Sequence, residues 1–420
     1  MKKITKFAMM FAAALTLTFS VVACGDDKND DPNTGTETVE IDVNNANDLD
    51  YNEGYAEQWA NYMTVVSSLL KTDAQTLYDA WDNGYAAIFK NHNSDEYKSA
   101  IDCVEQIFDG CIDIAGEVGD QKIGEPYRLY QAGNREEALY AVESWYSWHS
   151  RDDYRNNIYS IRNAYYGTRD GSISPNSLSA VLATKNPELD TQAKQAIKNA
   201  ADAIYAIPQP FRSNINSKEA AEAMDACADL GDFIENTLKP YFSENINDDA
   251  TLDPIVKQYV DAVVLPTYKD LAELNAKLDD AVKAFKAAPS NNAFAACANA
   301  WLAAREPWES SEAFLFGPVD EMGLDPNMDS WPLDQAMIAQ IMKNQNFAGL
   351  NWEDGDSDEK IEAAQSLHEV LKDIHLLHAV PGDEIKMSVD AHFRGLQVAD
   401  EVEAYGLDLL AVCTGLVQLE

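Results

Sequence analysis

The chain has 420 residues, of which 71 are acidic and 31 are Lys or Arg, so its formal net charge is −40. A negative charge of this size repels phosphate backbones, which excludes nucleic acid as a partner. The six cysteines contain no C-x-x-C pair, and if one of them carries a lipid, the odd number left does not describe a disulfide framework.

The N-terminus has the parts of a bacterial export signal. Three lysines precede residues 7–22, an uncharged apolar run that is shorter than the about 20 residues of a membrane-spanning helix. The following VVAC stretch resembles a lipobox, so we expect residues 1–23 to be removed and Cys24 to be lipidated. An ordinary cleaved signal with an incidental cysteine is the alternative.

Residues 24–50 are polar and rich in Asp, Asn and Thr, so they cannot bury enough apolar surface to fold. We expect them to form a disordered acidic tether. An acidic stretch directly after the cysteine resembles the surface-export signal of Bacteroidetes lipoproteins. The predicted location is therefore the outer membrane, on the cell surface, with the lipid as the membrane contact.

The rest of the chain has a helical period. Apolar residues recur at three- and four-residue steps and predict a series of helices. These cover 57–89, 95–118, 152–166, 191–207, 217–238, 252–288 with a kink at Pro266, 291–316, 335–343, 358–379 and 398–417. No alternating pattern predicts a sheet. We expect an all-α protein with two helical-bundle domains, residues 51–243 and 251–420, joined by a polar break.

Residues 301–318 combine charged and aromatic side chains. Arg305, Glu309 and Glu312 are spaced to share one helical face, with Trp301 and Trp308 nearby. A carboxyl group beside aromatic rings tends to have a raised pKa, as in a general acid or a metal ligand. A solvated ladder of Arg and Glu at the rim of the core is the alternative.

The loop that follows, residues 318–333, is rich in Gly, Pro and Asp. Asp325, Asp329 and Asp334 can present oxygen ligands to a hard cation, although their spacing does not match a helix–loop–helix calcium site. Asp residues that cap helices and turns are the alternative interpretation.

Residues 144–167 form the third unusual segment. Asn157 and Ser160 are hydrogen-bonding groups on a helix crowded with Tyr, and buried amides must find partners, so this helix is expected to face another polar surface. His149 precedes Asp152 by three residues, a pairing that is more often structural than catalytic.

These three segments together resemble the imelysin-like proteins, which include insulin-cleaving membrane proteases and relatives tied to iron uptake. The resemblance rests on SEAFLFG at 311–317, DSWPLD at 329–334 and NNIYSIRNAYYG at 156–167. It implies two helical bundles with a site between them. The implied site residues are Glu312 as the catalytic group and, as ligand-binding residues, Arg305, Asp329, Ser330, Asn157 and Ser160.

The chain departs from the family pattern in two ways. The segment with NNI precedes the segment with SEAFLFG, whereas the family has the opposite order, which looks like a circular permutation. The family's Gly-x-His-x-x-Glu motif is also absent from the sequence. His375 and His378, three residues apart on a predicted helix, are the candidate replacement for a metal pair, with ordinary surface histidines as the alternative.

The resemblance favours an envelope protein that binds a divalent metal ion or another small ligand between its domains, in the context of iron uptake. One alternative is a metal-dependent envelope peptidase that takes a peptide substrate. A second alternative is a surface scaffold for protein interactions. The His-Glu-x-x-His motif of zinc proteases is absent, and no Ser or Cys nucleophile motif is present.

Overall fold

The computed structural model describes residues 56–144 and 147–329, and positions 331, 338, 341 and 344–347. Within these residues the regular structure is entirely helical, which confirms the predicted all-α fold. The α-helices are α1 (Ala56–Ala80), α2 (Ala86–Asn91), α3 (Ala100–Gly116), α4 (Gly124–Gln131), α5 (Arg135–Tyr140), α6 (Ser150–Tyr166), α7 (Leu178–Lys185), α8 (Pro187–Ala206), α9 (Lys218–Phe233), α10 (Lys239–Asn245), α11 (Asp249–Tyr259), α12 (Leu265–Ala287), α13 (Asn291–Glu309), α14 (Pro318–Glu321) and α15 (Leu324–Met328).

Short stretches of wider helical winding join several of these helices, and the residues that flank each stretch keep right-handed helical backbone angles. They have the i→i+5 pattern of a π-helix, a feature that often occurs at functional sites. The π-helical stretches are Trp81–Tyr85, Glu117–Ile123, Ile234–Leu238 and Val260–Val264. Two 3₁₀ turns, Phe211–Ser213 and Glu312–Phe314, complete the helical elements of the described residues.

The first described helix packs against a helix that lies much later in the chain. Helix α1 lies along α12, and α12 in turn packs against α13. Asp279 of α12 is fully buried there and accepts hydrogen bonds from Ser67 (3.2 Å), Ser68 (2.9 Å) and Lys71 (3.2 Å) of α1. These donors satisfy a carboxylate that would otherwise be costly to bury.

Helix α6 lies at the centre of the arrangement that forms the site. It packs against α3, α8 and α13, and also against the 3₁₀ turn at residues 312–314. Its apolar positions, including Tyr154, Ile158 and Ile161, are buried, as the helical period predicts. The helix ends at Gly167, whose positive φ of 66° places it in the left-handed conformation typical of a helix end.

Some helix boundaries differ from the sequence prediction because local capping and proline geometry decide them. Helix α8 begins at Pro187, not at Thr191, since the Asn186 side chain accepts a hydrogen bond from the Leu189 N–H at 3.1 Å. The helix predicted over 252–288 extends over α11, the π-helical stretch Val260–Val264 and α12, and Pro266 lies directly after that stretch, where the helical winding is irregular but continuous.

Two further boundaries near the site also changed. The predicted helix 291–316 ends at Glu309 and is followed by the 3₁₀ turn Glu312–Phe314. The segment predicted as a loop, 318–333, contains the short helices α14 and α15.

The cysteines of the described residues are buried free thiols, in line with a sequence that does not describe a disulfide framework. They are Cys103, Cys111, Cys227 and Cys297. No helix within the described part of the chain combines the length and the apolar character needed to span a bilayer.

Candidate functional site

Six charged side chains from separate parts of the chain are buried together, and we call this group the ionic cluster. No member exposes more than 7% of its surface. Its members are Lys122 in the π-helical stretch, Glu143 in the loop before α6, Asp153 of α6, Arg305 and Glu309 of α13, and Glu312 in the 3₁₀ turn.

Arg305 binds the carboxylates on one side of the ionic cluster. Its Nε donates to Asp153 Oδ2 at 2.8 Å, and an Nη lies 2.9 Å from Glu309 Oε1. The same nitrogen donates to Ser144 Oγ at 2.7 Å. Burial opposes the charge on the guanidinium, but Asp153, Glu309 and Glu143 hold the pKa of Arg305 above its ordinary value. Arg305 is therefore a permanent cation in the interior.

Lys122 binds the carboxylates on the other side. Its Nζ lies 3.2 Å from Glu143 Oε2, 3.7 Å from Glu312 Oε1 and 3.5 Å from Glu117 Oε1. It also donates to Asn157 Oδ1 at 3.3 Å. Burial disfavours the ammonium, but the surrounding glutamates, Glu143 first, raise the pKa of Lys122 well above its usual value. The lysine is thus charged although it is only 3% exposed.

Asp153 connects the ionic cluster to a histidine nearer the surface. His149 Nδ1 lies 2.6 Å from Asp153 Oδ1, and the His149 side chain is 25% exposed. Burial works against ionisation of Asp153, but Arg305 and His149 lower its pKa below the ordinary range. Burial also disfavours protonated His149, yet Asp153 raises the pKa of this imidazole. The contact with His149 holds one oxygen of the Asp153 carboxylate, so that the other oxygen faces Arg305.

The neutral side chains of α6 position the acidic residues of α13 and the turn. Asn157 Nδ2 donates to Glu309 Oε2 at 2.7 Å and to the Glu309 carbonyl at 3.2 Å. Ser160 Oγ accepts a hydrogen bond from the backbone N–H of Ala313 at 3.0 Å, directly after Glu312. These bonds hold the end of α13 and the 3₁₀ turn against α6.

Carboxylates outnumber cations in the ionic cluster. Four acidic side chains face only Lys122 and Arg305 as buried bases within the described residues. Burial raises the pKa of Glu309 above its ordinary value and that of Glu312 well above it. A buried site with surplus carboxyl groups either keeps protons on them or takes up an added cation.

Three oxygen ligands lie close enough to share such a cation. One carboxylate oxygen from each of Glu143, Glu309 and Asp329 lies within 4.8 Å of the other two. Asp329 follows α15, and the Trp308 indole N–H donates to its Oδ2. An all-oxygen set fits a hard cation such as Ca²⁺, Mg²⁺ or Mn²⁺ better than a soft one. The residues present therefore fit a divalent metal ion.

Most of the site residues predicted from the sequence come together here. Glu312 and Arg305 are members of the ionic cluster, Asp329 is one of the three oxygen donors, and Asn157 and Ser160 hold them in place. The alternative interpretation, a solvated Arg–Glu ladder, does not hold, because Arg305, Glu309 and Glu312 are all buried. Ser330, His375, His378 and Cys24 lie outside the described residues.

Several residues of the site have no clear signal in the sequence. Lys122 and Glu143 lie in segments without a motif, and only the packing of α3, α6 and α13 brings them together. The partner of His149 is Asp153 and not Asp152, the residue that the sequence analysis considered. The i, i+4 spacing of His149 and Asp153 on one helical face is the signal that identifies the correct pair.

Comparisons with known proteins identify relatives of the whole helical body. The family model for imelysin matches residues 30–235 and 264–380. The crystal structure of an imelysin peptidase from Bacteroides ovatus is 57% identical with a TM-score of 0.77, over 79% of this chain and 97% of that one.

Two matches to iron-regulated protein A are partial. An 80-residue stretch, 19% of this chain, is 39% identical to that protein from Synechococcus elongatus and spans only 22% of its length. The crystal structure of a precursor of this kind from Parabacteroides distasonis is 37% identical over 38% of this chain and 47% of that one, with a TM-score of 0.36.

Proposed function

Because the chain belongs to the imelysin family, we propose that it captures a hard divalent cation with Asp329 and two carboxylates of the ionic cluster, Glu143 and Glu309. In this proposal the protein is a lipoprotein of the cell envelope, attached through Cys24. The names of the partial relatives, which are iron-regulated proteins, favour iron as the physiological cation and uptake as the context.

The observation that carries the proposal is the surplus of buried carboxyl groups. Glu143, Glu309 and Asp329 offer oxygens within 4.8 Å of one another, while Arg305 and Lys122 neutralise only part of the cluster's charge. A divalent ion supplies the missing charge where water is largely excluded, and there electrostatic interactions are strong. Burial raises the pKa values of Glu309 and Glu312, so keeping both ionised without an added cation is costly.

Cation capture then exchanges protons for metal. The arriving ion favours the ionised form of the glutamates, so binding releases protons and weakens as the pH falls. Arg305 keeps Asp153 ionised and holds Glu309 in position, while Asn157 fixes the second Glu309 oxygen. His375 and His378 remain predicted ligands beyond the described residues.

The direct test measures the metal content of the full chain. The protein is purified without chelator, dialysed against Fe²⁺, Mn²⁺ or Ca²⁺, and analysed by mass spectrometry and calorimetry. We expect one ion per chain, and at least a tenfold weaker affinity in Glu309→Gln, about 1.4 kcal/mol. Glu222→Gln is the matched control, since that carboxylate is 54% exposed and pairs only with Lys218 on its own helix.

Three outcomes contradict the proposal. They are a wild-type chain that retains none of these ions, equal affinities in Glu309→Gln and Glu222→Gln, and binding that is lost only in a His375→Ala/His378→Ala variant. The last result places the metal at the histidines and away from the ionic cluster.

A metal-dependent peptidase is the second candidate, favoured by the solved imelysin peptidase at 57% identity. Burial raises the pKa of Glu312 well above its usual value, so this residue suits a proton donor better than a general base. Insulin chains are incubated with metal-loaded wild type and with Glu312→Gln. If the Glu312→Gln variant abolishes cleavage, the result supports the peptidase. Metal binding without cleavage leaves cation capture as the only function of the two.

A further inference from the structure

The carboxylate of Glu143 is already held by buried bases at both of its oxygens. Lys122 Nζ lies 3.2 Å from Oε2, and an Nη of Arg305 lies 3.8 Å from Oε1. The same carboxylate is one of the three whose oxygens lie within 4.8 Å of one another. Two cations on one buried carboxylate repel each other strongly, because the interior screens charge poorly. A metal ion at these oxygens therefore competes with Lys122 or Arg305 for Glu143.

Arg305 is the fixed base of the two. Its guanidinium donates to Asp153 at 2.8 Å and to Ser144 at 2.7 Å, and it lies 2.9 Å from Glu309. A planar group held at three places cannot turn without breaking these contacts. Its distance to Glu143, 3.8 Å, is the longest of the four.

Lys122 is the base that can move. Its shortest distance to a carboxylate of the ionic cluster is 3.2 Å, to Glu143, and its distance to Glu312 is 3.7 Å. Its charge lies at the end of a flexible four-carbon chain. Glu117 lies 3.5 Å from the same nitrogen and is 39% exposed, so the ammonium has a further partner nearer to solvent. Lys122 can therefore leave Glu143 and keep both its proton and a counterion.

The charge of the displaced group decides which ions can replace it. The Lys122 ammonium carries one positive charge, as Na⁺ and K⁺ do, so exchange for either of them adds no charge around Glu143. A divalent ion adds one further charge and brings it to three carboxylates at once. Exchange therefore favours divalent over monovalent ions. Moving the lysine also costs free energy, so the affinity for every cation is lower than the carboxylates alone would give.

We propose that Lys122 is the specificity-determining residue of the cation site, an ammonium that occupies Glu143 until a divalent ion takes its place. This inference rests on the proposed cation capture and adds which ions the site excludes. The site without Lys122 should bind divalent ions more tightly and should also accept monovalent ones. In the natural chain, Lys122 should turn toward Glu117 when a divalent ion binds.

The test titrates the full chain with Mn²⁺ by calorimetry, in KCl or in tetramethylammonium chloride at equal ionic strength. Tetramethylammonium is too large for a buried site, so it reports screening alone. Wild type should have the same affinity in both salts. Lys122→Met should bind Mn²⁺ about tenfold more tightly than wild type in tetramethylammonium chloride. KCl should weaken binding to this variant, because K⁺ takes the place of the lysine.

Two variants control for loss of the side chain and for loss of charge elsewhere. Lys122→Arg keeps the positive charge and should be as insensitive to KCl as wild type. Lys218→Met removes a lysine that is 79% exposed and should match wild type in affinity and in salt response.

A second measurement applies if Lys122→Met does not fold. An amine-acetylating reagent labels the lysines of the wild-type chain, and mass spectrometry follows the peptide that contains Lys122. This lysine is 3% exposed, so its labelling should be slow without Mn²⁺ and should rise severalfold with it. The labelling of Lys218 should not change.

The inference is overturned if Lys122→Met binds Mn²⁺ no more tightly than wild type, if KCl weakens both chains equally, or if Mn²⁺ leaves the labelling of Lys122 unchanged. When wild type binds Mn²⁺, each of these results leaves cation capture standing. If neither chain binds Mn²⁺, cation capture and this inference fail together. Binding by Lys122→Met alone supports Lys122 as the competitor and contradicts capture by the natural chain.

Discussion

Lys122 is the residue on which the charge of the ionic cluster depends most. It is 3% exposed and lies within 4 Å of Glu143, Glu312 and Glu117. A buried charge of this kind is retained only where its partners offset the cost of leaving water. Loss of the lysine would leave these glutamates without their nearest cation.

The first prediction follows from this arrangement. Lys122→Met should lower the free energy of unfolding at neutral pH by about 3–5 kcal/mol, because it leaves buried carboxylates uncompensated. Urea unfolding gives the value, with Lys218→Met, an exposed lysine, as a control that should change by less than about 0.5 kcal/mol. A divalent cation should restore part of the loss. Equal stabilities for the two variants would show that Lys122 does not compensate the cluster.

The second prediction concerns pH. Burial raises the pKa of Glu309 and Glu312 above the ordinary value of 4.5, so their contribution to stability is fully present below pH 4.5 and is lost as the pH rises through their folded-state pKa values. Asp153 behaves in the opposite way, since its lowered pKa stabilises the fold above the ordinary value of 3.8. The melting temperature of the metal-free protein should therefore fall as the pH rises above 4.5.

The control for this prediction is Glu309→Gln/Glu312→Gln, whose amides do not ionise. Its melting temperature should fall less over the same range, and a bound divalent cation should flatten the wild-type curve. The same slope for wild type and variant would contradict the assignment of these two glutamates.

At the scale of elements, the site depends on how closely α3 approaches the 3₁₀ turn. A Cβ atom at Gly110 would lie 2.1 Å from the carbonyl oxygen of Ala313, so only glycine permits this contact. The turn also presents Glu312, and its Ala313 backbone N–H donates a hydrogen bond to Ser160 Oγ. The position of Glu312 is therefore set partly by a residue two hundred positions earlier.

The third prediction tests this contact. Gly110→Ala should destabilise the protein by about 1–3 kcal/mol and weaken cation binding, because the turn must move. Gly116→Ala lies in the same helix with no atom within 4 Å of the added Cβ, and should instead stabilise by up to about 1 kcal/mol. Urea unfolding and calorimetry measure both effects. A neutral Gly110→Ala variant would mean that α3 shifts at no cost.

At the scale of the whole molecule, negative charge dominates. The net charge is −40 and the sequence pI is about 4.3, so the folded body repels itself at neutral pH. Surface ion pairs offset little of this self-repulsion, because an exposed ion pair typically contributes about 0–1 kcal/mol to the free energy of unfolding.

The fourth prediction is that monovalent salt stabilises the protein. Raising the ionic strength from about 0.01 M to 0.15 M shortens the screening length from about 30 Å to about 8 Å, which weakens the self-repulsion. The melting temperature should rise at pH 7 and change little near pH 4.3, where the net charge is close to zero. A decrease at pH 7 would show that attractive ion pairs outweigh the repulsion.

The helical period was sufficient to predict the fold class, since apolar spacing is a local property of the sequence. The helical period was not sufficient to place the boundaries at Pro187 and Glu309, because local caps and turns shift them. The division into two domains at the polar break remains a prediction. The lipid on Cys24 and the location on the cell surface also remain predictions.

The sequence by itself determined that the chain is all-α, that it resembles the imelysin family, and that Arg305, Glu312 and Asp329 are candidate site residues. Only the tertiary structure decided that these residues are buried with Lys122 and Glu143, and that Asp153 is the partner of His149. The physical reason is that charge balance and pKa depend on neighbours from distant segments, and their approach is set by helix packing. The spacing of residues along the sequence does not encode this approach of distant segments.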